Sequence, residues 1–276
     1  MANYSELKST ADQRWQELVS GDKTWIRVGS AMCGHAAGAL DVISALRAEL
    51  SARGIGATVD EVGCLGVCFA EPLVDVQKPG CPRVFFRNVS PSDIPTLVDS
   101  YVAGNDIPSE KVLGYLGADA NLEIPNLDTL PWFRHQQRIA LRNAGHIAPD
   151  DIYQYIACGG YAGLEKAISH MNPEAVLKEV TDSGLRGRGG AAFKTGIKWS
   201  FLVRSPGPPK YILCNCEEGD PGAYNDKGIL ESDPHTLLEG MAICGYATGA
   251  SNGIVFIRHG HDGPIDRTEK AIQDAY

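Results

Sequence analysis

Hydrophobic positions switch between strand-like runs and helical spacing several times within the first hundred residues. Short apolar runs predict strands at 25–29, 58–62, 73–76 and 83–86. The helix predicted over 37–53 has its apolar residues at helical spacing, at Leu40, Ile43, Leu46 and Leu50. A second helix is predicted near 92–101, with Ile94, Leu97, Val98 and Tyr101 facing inward. This succession of strands and helices predicts a compact α/β unit over 23–103.

Residues 1–22 are polar with a weak helical pattern and predict a surface extension with no assigned chemistry. Residues 104–131 lack periodicity and contain Pro108, Pro125 and Pro131, which indicates a linker or an arm. The third part, 132–276, begins with three predicted helices; the last starts at Asn172-Pro-Glu and ends at Ser183-Gly184. A buried strand is predicted at 211–213, and a helix, a strand and a further helix follow it.

Composition excludes several functional classes. The chain has 276 residues, of which 43% are hydrophobic, and a formal net charge of -9, which argues against a nucleic-acid binder. No apolar run approaches a membrane span, so direct membrane insertion is not expected. The start of the chain lacks the order of charges and apolar residues of a signal peptide, and a cytoplasmic location is expected.

The cysteines predict metal ligands better than disulfides, because eight cysteines in this chain are too few for a disulfide scaffold. Cys64 and Cys68 form a loop pair just before a predicted strand, and Cys33 follows the preceding strand. Thiolates gathered from separate loops suit a soft metal or an iron–sulfur cluster, which usually needs four ligands.

This cysteine pattern resembles the thioredoxin-like [2Fe–2S] ferredoxin domain of complex I and related dehydrogenases. The resemblance implies Cys33, Cys64 and Cys68 as ligands of a [2Fe–2S] cluster. Cys64 and Cys68 have the family spacing, whereas the position five after Cys33 is Gly38. His35, Cys81 or another group is then the fourth ligand, and the alternative is a domain that keeps the fold without the cluster.

A stretch rich in glycine and cationic side chains, 183–199, is the least ordinary part of the sequence. Glycine permits left-handed backbone and lets successive N–H groups converge on an anion, so the stretch predicts a phosphate of a nucleotide or flavin. Gly187-x-Gly189-x-x-Ala192 formally matches a dinucleotide fingerprint, but a helix precedes it where that motif needs a strand. No Gly-Lys-Ser/Thr ends the run, which excludes a P-loop.

Three carboxylates follow the strand predicted at 211–213, in the block Asn215-Cys-Glu-Glu-Gly-Asp-Pro-Gly222. Such a concentration of charge is repulsive unless the groups are solvated or face hydrogen-bond donors. Ribose hydroxyls, a flavin edge or a nicotinamide amide are donors of this kind. Cys214 and Cys216 alternate to one face of the strand and are interpreted as small core residues.

Together, the glycine loop and this block resemble the NADH-binding flavoprotein subunit of complex I and its relatives in NAD-dependent hydrogenases, formate dehydrogenases and electron-bifurcating complexes. The resemblance extends from about Trp132 to the end and implies an FMN-binding α/β domain that is not a classical Rossmann fold. It implies that the FMN phosphate and ribityl chain lie along Gly187, Arg188, Gly189, Gly190 and Lys198. Asn215, Glu217 and Glu218 would surround the flavin.

The same resemblance implies that Phe193 and Phe201 enclose the adenine of NADH, with Asp220 near its ribose. The family usually has glutamate at position 220 and Gly-Phe-Pro at 192–194. No catalytic base is assigned, since hydride transfer depends mainly on how the two rings are oriented.

The family ordinarily continues with more of the FMN fold and a [4Fe–4S] domain, so the chain is expected to be incomplete. The implied function is electron transfer between NAD(H), FMN and the iron–sulfur centres of partner subunits. The alternative is a redox-inactive structural subunit.

Overall fold

The computed structural model describes residues 3–117 and 122–276. Its helices are α1 (Tyr4–Ser20), α2 (Met32–Ala37), α3 (Ala39–Ala52), α4 (Ile94–Leu97), α5 (Pro131–Arg134), α6 (Ile152–Ala157), α7 (Ala162–His170), α8 (Pro173–Asp182), α9 (Thr195–Arg204), α10 (Asp226–Ser232), α11 (Pro234–Thr248) and α12 (Asp262–Ala275). Its strands are β1 (Thr24–Gly29), β2 (Ala57–Val62), β3 (Val74–Gln77), β4 (Arg83–Phe86), β5 (Val112–Leu116), β6 (Tyr211–Cys216) and β7 (Asn252–Ile257). Short 3₁₀ turns lie at Cys68–Ala70, Pro91–Asp93 and Leu127–Thr129, and a π turn extends α4 over Val98–Ala103.

The N-terminal sheet confirms the predicted α/β class. Its strand order is β2-β1-β3-β4-β5, with β1 parallel to β2 and the other neighbours antiparallel. The first four strands have the order and directions of a thioredoxin-like sheet. Helices α3 and α4 contribute the apolar residues that cover one face, among them Val42, Leu46, Ile94 and Val98.

The second face of this sheet is covered by the loops that carry the cysteines. Leu65, Val67 and Leu73 from these loops form a separate buried cluster with Phe85 and Leu127. Because these loop residues are themselves buried, the loop has a fixed position against the sheet. Cys64 and Cys68, which lie in the same loop, are therefore held by a packed support.

The structure adds two features of this unit. Leu40 is 52% exposed, and α3 turns Ala39, Val42 and Ile43 toward the sheet instead. Within the segment predicted as a linker or an arm, β5 pairs with β4 and Leu127 is fully buried. We propose that the N-terminal unit extends through the turn Leu127–Thr129. The division of the chain at 22 and at 131 stays a proposal.

The C-terminal half contains the predicted helices and a parallel pair of strands, β6 and β7. Asn172 accepts a hydrogen bond from the Ala175 amide at 2.8 Å and caps α8, which ends before Gly184 at φ +67°. The strand predicted at 211–213 is confirmed as part of β6, but its predicted burial is wrong, because Tyr211 and Leu213 are 54% and 64% exposed. Only alternate side chains of β6 pack against α11 and its neighbours.

Contacts between the two halves involve charged groups near the cysteines. The Glu231 carboxylate accepts from the backbone N–H of Met32 at 3.1 Å, at the start of α2. Arg267 donates to the carbonyl of Ser30 at 3.2 Å. Helix α1 contributes Tyr4, whose hydroxyl donates to the Gly160 carbonyl at 2.9 Å. The predicted surface extension is therefore anchored on the C-terminal half.

A buried histidine makes stability depend on pH. His146 lies 2.6 Å from the Arg83 guanidinium, and burial together with Arg83 lowers the pKa of His146 to about 3. In the unfolded chain, His146 takes up a proton near its ordinary pKa of about 6.5. The contribution of neutral, buried His146 to stability is therefore fully present above about pH 6.5 and is lost as the pH falls toward 3.

We therefore expect the free energy of unfolding to fall by at most about 1.4 kcal/mol per pH unit over that window from this group. Thermal unfolding measured between these pH values should show a smaller pH dependence for His146→Gln, because the glutamine oxygen accepts from Arg83 without titrating. An unchanged dependence would contradict the assignment.

Within 3–117 and 122–276, no helix has the length and hydropathy needed to cross a bilayer.

Candidate functional site

Three cysteine thiols meet at one end of the N-terminal sheet. Cys33 comes from α2, after β1, while Cys64 and Cys68 come from the loop between β2 and β3. The three sulfur atoms lie within 4.8 Å of one another, and those of Cys64 and Cys68 are 3.6 Å apart. The predicted ligands are therefore brought together, in an arrangement that fits a thiolate-bound metal cluster.

The surroundings favour the thiolate form of Cys64. The hydrogen bond from the Cys33 thiol, supported by the Gly66 amide at 3.2 Å and by Arg138, lowers the pKa of Cys64 to about 6 against the effect of burial. Hydrogen bonding to Cys64 raises the pKa of Cys33, and burial raises that of Cys68. One thiolate is thus formed near neutral pH, and further thiolates require a bound cation to offset their repulsion.

The structure does not bring either predicted candidate for the fourth ligand into this group. His35 is exposed, and its Nε2 atom lies 2.8 Å from the Ser30 hydroxyl. Cys81 is exposed in the turn between β3 and β4, at the end of β3 away from Cys68.

A residue that sequence reasoning missed, Glu71, is the nearest acid. It is 6% exposed, with one oxygen 3.9 Å from the Cys33 sulfur, and burial raises its pKa to about 7.

The glycine loop follows α8, as predicted, and leads into α9, a helix that the sequence analysis did not predict. The amide of Gly187 donates to the Phe193 carbonyl at 2.8 Å, and Thr195 donates to the Leu185 carbonyl at 2.9 Å, so the loop closes as a small turn. Gly190 at φ +98° and Ala192 at φ +50° have left-handed backbone within it. Glycine adopts this conformation readily, which accounts for its use at position 190.

A cavity of about 470 Å³ lies beside this loop. Its walls are the loop, the first turns of α9, one side of β6 and a residue of α11, and they include Gly187, Gly189, Phe193, Thr195, Lys198, Trp199, Leu202, Ile212 and Cys244. Its volume is within the range of small-molecule and cofactor sites. Arg188, Gly190 and Phe201 are not on its wall, although Phe201 lies next to Phe193.

Charge and polarity in this cavity suit a molecule with a phosphate and an aromatic ring. Thr195 is the first residue of α9, so the positive end of that helix lies at the cavity. In the described part of the chain, Lys198 forms no ion pair and remains available to an anion. Trp199, Leu202 and Ile212 supply an apolar wall. Sequence reasoning did not assign these three to the site, because each is also an ordinary core residue type.

The acidic block at the end of β6 has a different arrangement from the one predicted. The Glu218 carboxylate accepts three backbone N–H groups, from Asn225 at 2.6 Å, Asp226 at 3.0 Å and Lys227 at 2.8 Å, and thereby caps α10. The donors for this carboxylate are therefore protein groups, and its structural role is to hold the loop after β6.

The other polar residues of the block also have protein partners. Glu217 accepts from Arg258 at 3.0 Å and from the Gly219 amide at 2.9 Å. Asn215 accepts from the Glu217 amide at 3.2 Å, and Asp220 from the Gly222 amide at 3.0 Å. Asn215, Glu217 and Asp220 do not line the cavity of the glycine loop. Arg258, which follows β7, is the cation that the sequence analysis missed.

The two strand cysteines, Cys214 and Cys216, share one face of β6 with their sulfur atoms 3.5 Å apart. Cys216 is 6% exposed, in agreement with its interpretation as a core residue. They lie outside the group formed by Cys33, Cys64 and Cys68, which is the one cysteine-containing ligand group found among the described residues.

Comparisons with known proteins agree with the motifs in the second half. Over 142 residues the chain is 50% identical to the NADP-reducing hydrogenase subunit HndC of Solidesulfovibrio fructosivorans, covering 51% of this chain and 29% of that protein. It is 44% identical over 142 residues to the F 2 subunit of NADH-quinone oxidoreductase from Rhizobium meliloti, covering 50% and 33%. The alignments thus span about a third of the curated relatives.

Among solved structures, an NAD⁺-reducing [NiFe]-hydrogenase in the air-oxidized state matches 98% of this chain and 43% of its own, with 22% identity and a TM-score of 0.42. The matched family is described as the Nuo51 FMN-binding domain and covers residues 180–276, which contain the glycine loop and the acidic block. The resemblance predicted from those motifs is confirmed, since residues 180–276 match the Nuo51 FMN-binding domain family.

Proposed function

We propose that this chain is part of an electron-transferring flavoprotein subunit that exchanges hydride between NAD(H) and FMN. The observation that carries the proposal is the cavity formed by the glycine loop and α9 within the segment that matches the FMN-binding family. FMN supplies the redox chemistry, accepting a hydride and releasing electrons singly. The chain's residues bind and orient the two cofactors.

In this proposal the glycine loop and α9 hold FMN. The backbone of Gly187, Gly189 and Gly190 lies along the phosphate and ribityl chain, and Lys198 and Arg188 supply positive charge. Lys198 is the better supported of the two cations, since it lines the cavity. Asn215 and Glu217 contribute at the flavin edge, whereas Glu218 acts indirectly by holding the loop that carries them.

NAD(H) is proposed to bind beside the flavin with its adenine between Phe193 and Phe201. The ring centroids of these residues are 6.3 Å apart, and both rings are about half exposed. Asp220 is proposed to bind the adenosine ribose. No acid or base is assigned, because hydride transfer would depend on how these residues orient the two rings.

Cys33, Cys64 and Cys68 are proposed to bind a [2Fe–2S] cluster that exchanges electrons with the flavin or with other iron–sulfur subunits. The three clustered thiols support this part of the proposal. The proposed setting is a cytoplasmic multi-subunit oxidoreductase, in which NAD(H) is the small-molecule partner. A [4Fe–4S] centre is not assigned to any residue of this chain.

The direct test is addition of NADH to the purified protein under anaerobic conditions. Bleaching of a bound flavin, followed by reduction of an artificial electron acceptor, is the expected result. Protein without flavin after denaturation would instead favour the alternative, a structural subunit that has lost redox activity.

Removal of the cavity cation should weaken flavin binding. Lys198→Ala is expected to raise the dissociation constant for FMN about tenfold or more, because a charged hydrogen bond contributes about 1.5–3 kcal/mol. Flavin fluorescence titration of the flavin-stripped protein measures this change. Lys178→Ala is the matched control, since Lys178 lies on α8 and pairs with Asp182. Equal affinities for both variants and the unmodified protein would contradict the assignment of Lys198.

A further inference from the structure

Four donor atoms lie together at the cysteine site. The sulfur atoms of Cys64 and Cys68 are 3.6 Å apart, and the sulfur of Cys33 lies 3.9 Å from an oxygen of Glu71. A [2Fe–2S] cluster takes two protein ligands on each iron. The four donors therefore match the number of ligands that such a cluster needs, although only three of the donors are cysteines.

The Glu71 carboxylate is buried without a cationic partner. Its Oε2 atom accepts from the backbone amide of Leu73 at 2.8 Å, which fixes the carboxylate and leaves Oε1 facing Cys33. No lysine, arginine or histidine of the described residues forms an ion pair with it. Burial of an unpaired carboxylate is costly, and the charge of a bound metal offsets that cost.

The close approach of β1 to this carboxylate is part of the packing. A Cβ atom added at Gly29 would lie 2.7 Å from Oε2 and 2.9 Å from Oε1 of Glu71. Glycine at position 29 thus makes room for the carboxylate between the end of β1 and the cysteine loop. Cys33 follows that strand end directly, so the same turn positions both donors.

We propose that Glu71 supplies the fourth ligand of the cluster, next to Cys33, through its carboxylate oxygen Oε1. This inference rests on the [2Fe–2S] cluster of the proposed function. Three thiolates and one carboxylate have the same total charge as four thiolates. A cluster bound by this set therefore has the same net charge as one bound by four cysteines. The preferred donors of iron include carboxylate oxygen as well as thiolate and imidazole.

The test compares the full-length protein with Glu71→Gln and Glu71→Cys, each purified anaerobically and reconstituted with iron and sulfide. Iron and sulfide per chain, Mössbauer spectra of the oxidised cluster and electron paramagnetic resonance after reduction are measured. We expect two inequivalent ferric sites in the unmodified protein. Glu71→Gln should retain at most about a tenth of the iron, whereas Glu71→Cys should keep the cluster with two similar sites.

Cys81→Ser and His35→Gln serve as controls, because both residues are alternative ligands that the structure places outside the group. Cluster loss in either control, or a fully loaded Glu71→Gln protein with an unchanged Mössbauer spectrum, would overturn the assignment of Glu71. Retention of the cluster in Glu71→Cys shows that loss in Glu71→Gln is not a folding defect.

The outcomes also separate this inference from the proposed function. An unmodified protein that binds flavin and oxidises NADH but incorporates no iron overturns the cluster and Glu71 together, and leaves the flavin proposal standing. An iron-loaded protein that does not react with NADH overturns the flavin proposal and leaves the cluster and its Glu71 ligand standing.

Discussion

Cys64→Ser is expected to abolish the iron–sulfur signal while NADH still bleaches the flavin. Cys64 is the thiol that contacts both other cysteines and has the lowered pKa, so it provides the first thiolate of the site. Serine is not deprotonated at neutral pH and is a poor ligand for this soft site. Because changes in the residues that merely orient ligands cost about 10–100-fold in affinity, loss of a ligand should cost at least as much.

Iron analysis and electron paramagnetic resonance measure the cluster, and anaerobic titration with NADH measures the flavin. The matched control is Cys216→Ser, since Cys216 is also close to a second thiol but lies on β6, outside the proposed ligand set. Full iron content in Cys64→Ser would remove the cluster from the proposal. Loss of flavin reduction in the same variant would show that the two centres are not structurally independent.

Short apolar runs were sufficient to predict β1 to β4, and helical spacing was sufficient to predict α3. Strands β1, β3 and β4 are buried on both faces, so they appear as continuous apolar runs, whereas α3 buries one face and its apolar residues repeat with the helical period. Helical spacing did not show which residues of α3 face the sheet, since Leu40 is 52% exposed while Ala39 and Val42 are buried. The apolar spacing predicted a helix at this position but did not determine which face of that helix packs against the sheet.

The fifth strand was missed because its segment lacks periodicity and lies between prolines. Gly114 has φ +152°, and a Cβ atom at that position would lie 2.4 Å from the Pro125 carbonyl oxygen. The glycine is there for a close approach of two backbone segments within the sheet unit. Such an approach depends on residues distant in sequence, which composition does not reveal.

The site was only partly predictable for a related reason. Cys33, Cys64 and Cys68 were recognised from their spacing, and the structure brings them together. The acid Glu71 was missed, since one acid after a cysteine pair has no distinctive spacing, although its place in an otherwise apolar run was a signal.

The acidic block could be interpreted only in part from the sequence. Its charges suggested ligand contacts, whereas Glu218 is held by the amides at the start of α10, seven to nine positions later. Repulsion between neighbouring carboxylates indicated a need for donors but could not show whether the protein or a ligand supplies them.

The second large effect is expected for Phe201→Ala, which should raise the KM for NADH. A flat base between two rings needs about 7 Å between them, since each stacked contact requires about 3.5 Å. The two ring centroids are 6.3 Å apart and the rings are inclined by 44°, so a small rotation of each ring would reach that arrangement. Both side chains are about half exposed, so small rotations that admit a base displace little packing.

Stacking of a base on an aromatic side chain contributes about 1–3 kcal/mol, which corresponds to a loss of about 5–150-fold in affinity. Because adenine is remote from the reacting nicotinamide, the contact stabilises ground state and transition state alike, and kcat at saturating NADH should change by less than about twofold. Steady-state kinetics with an artificial acceptor distinguish these two parameters. Isothermal titration with NAD⁺ provides an independent measure of binding.

Two further variants separate stacking from general effects on α9. Phe201→Tyr keeps the ring and should keep the KM, whereas Val203→Ala removes an apolar side chain that is 40% exposed on the same helix and should also leave it unchanged. If Phe201→Ala has the KM of the unmodified protein, adenine does not stack there. If FMN is lost while NADH affinity is retained, the ring pair belongs to the flavin site, because the neighbouring Phe193 already lines the cavity proposed for FMN.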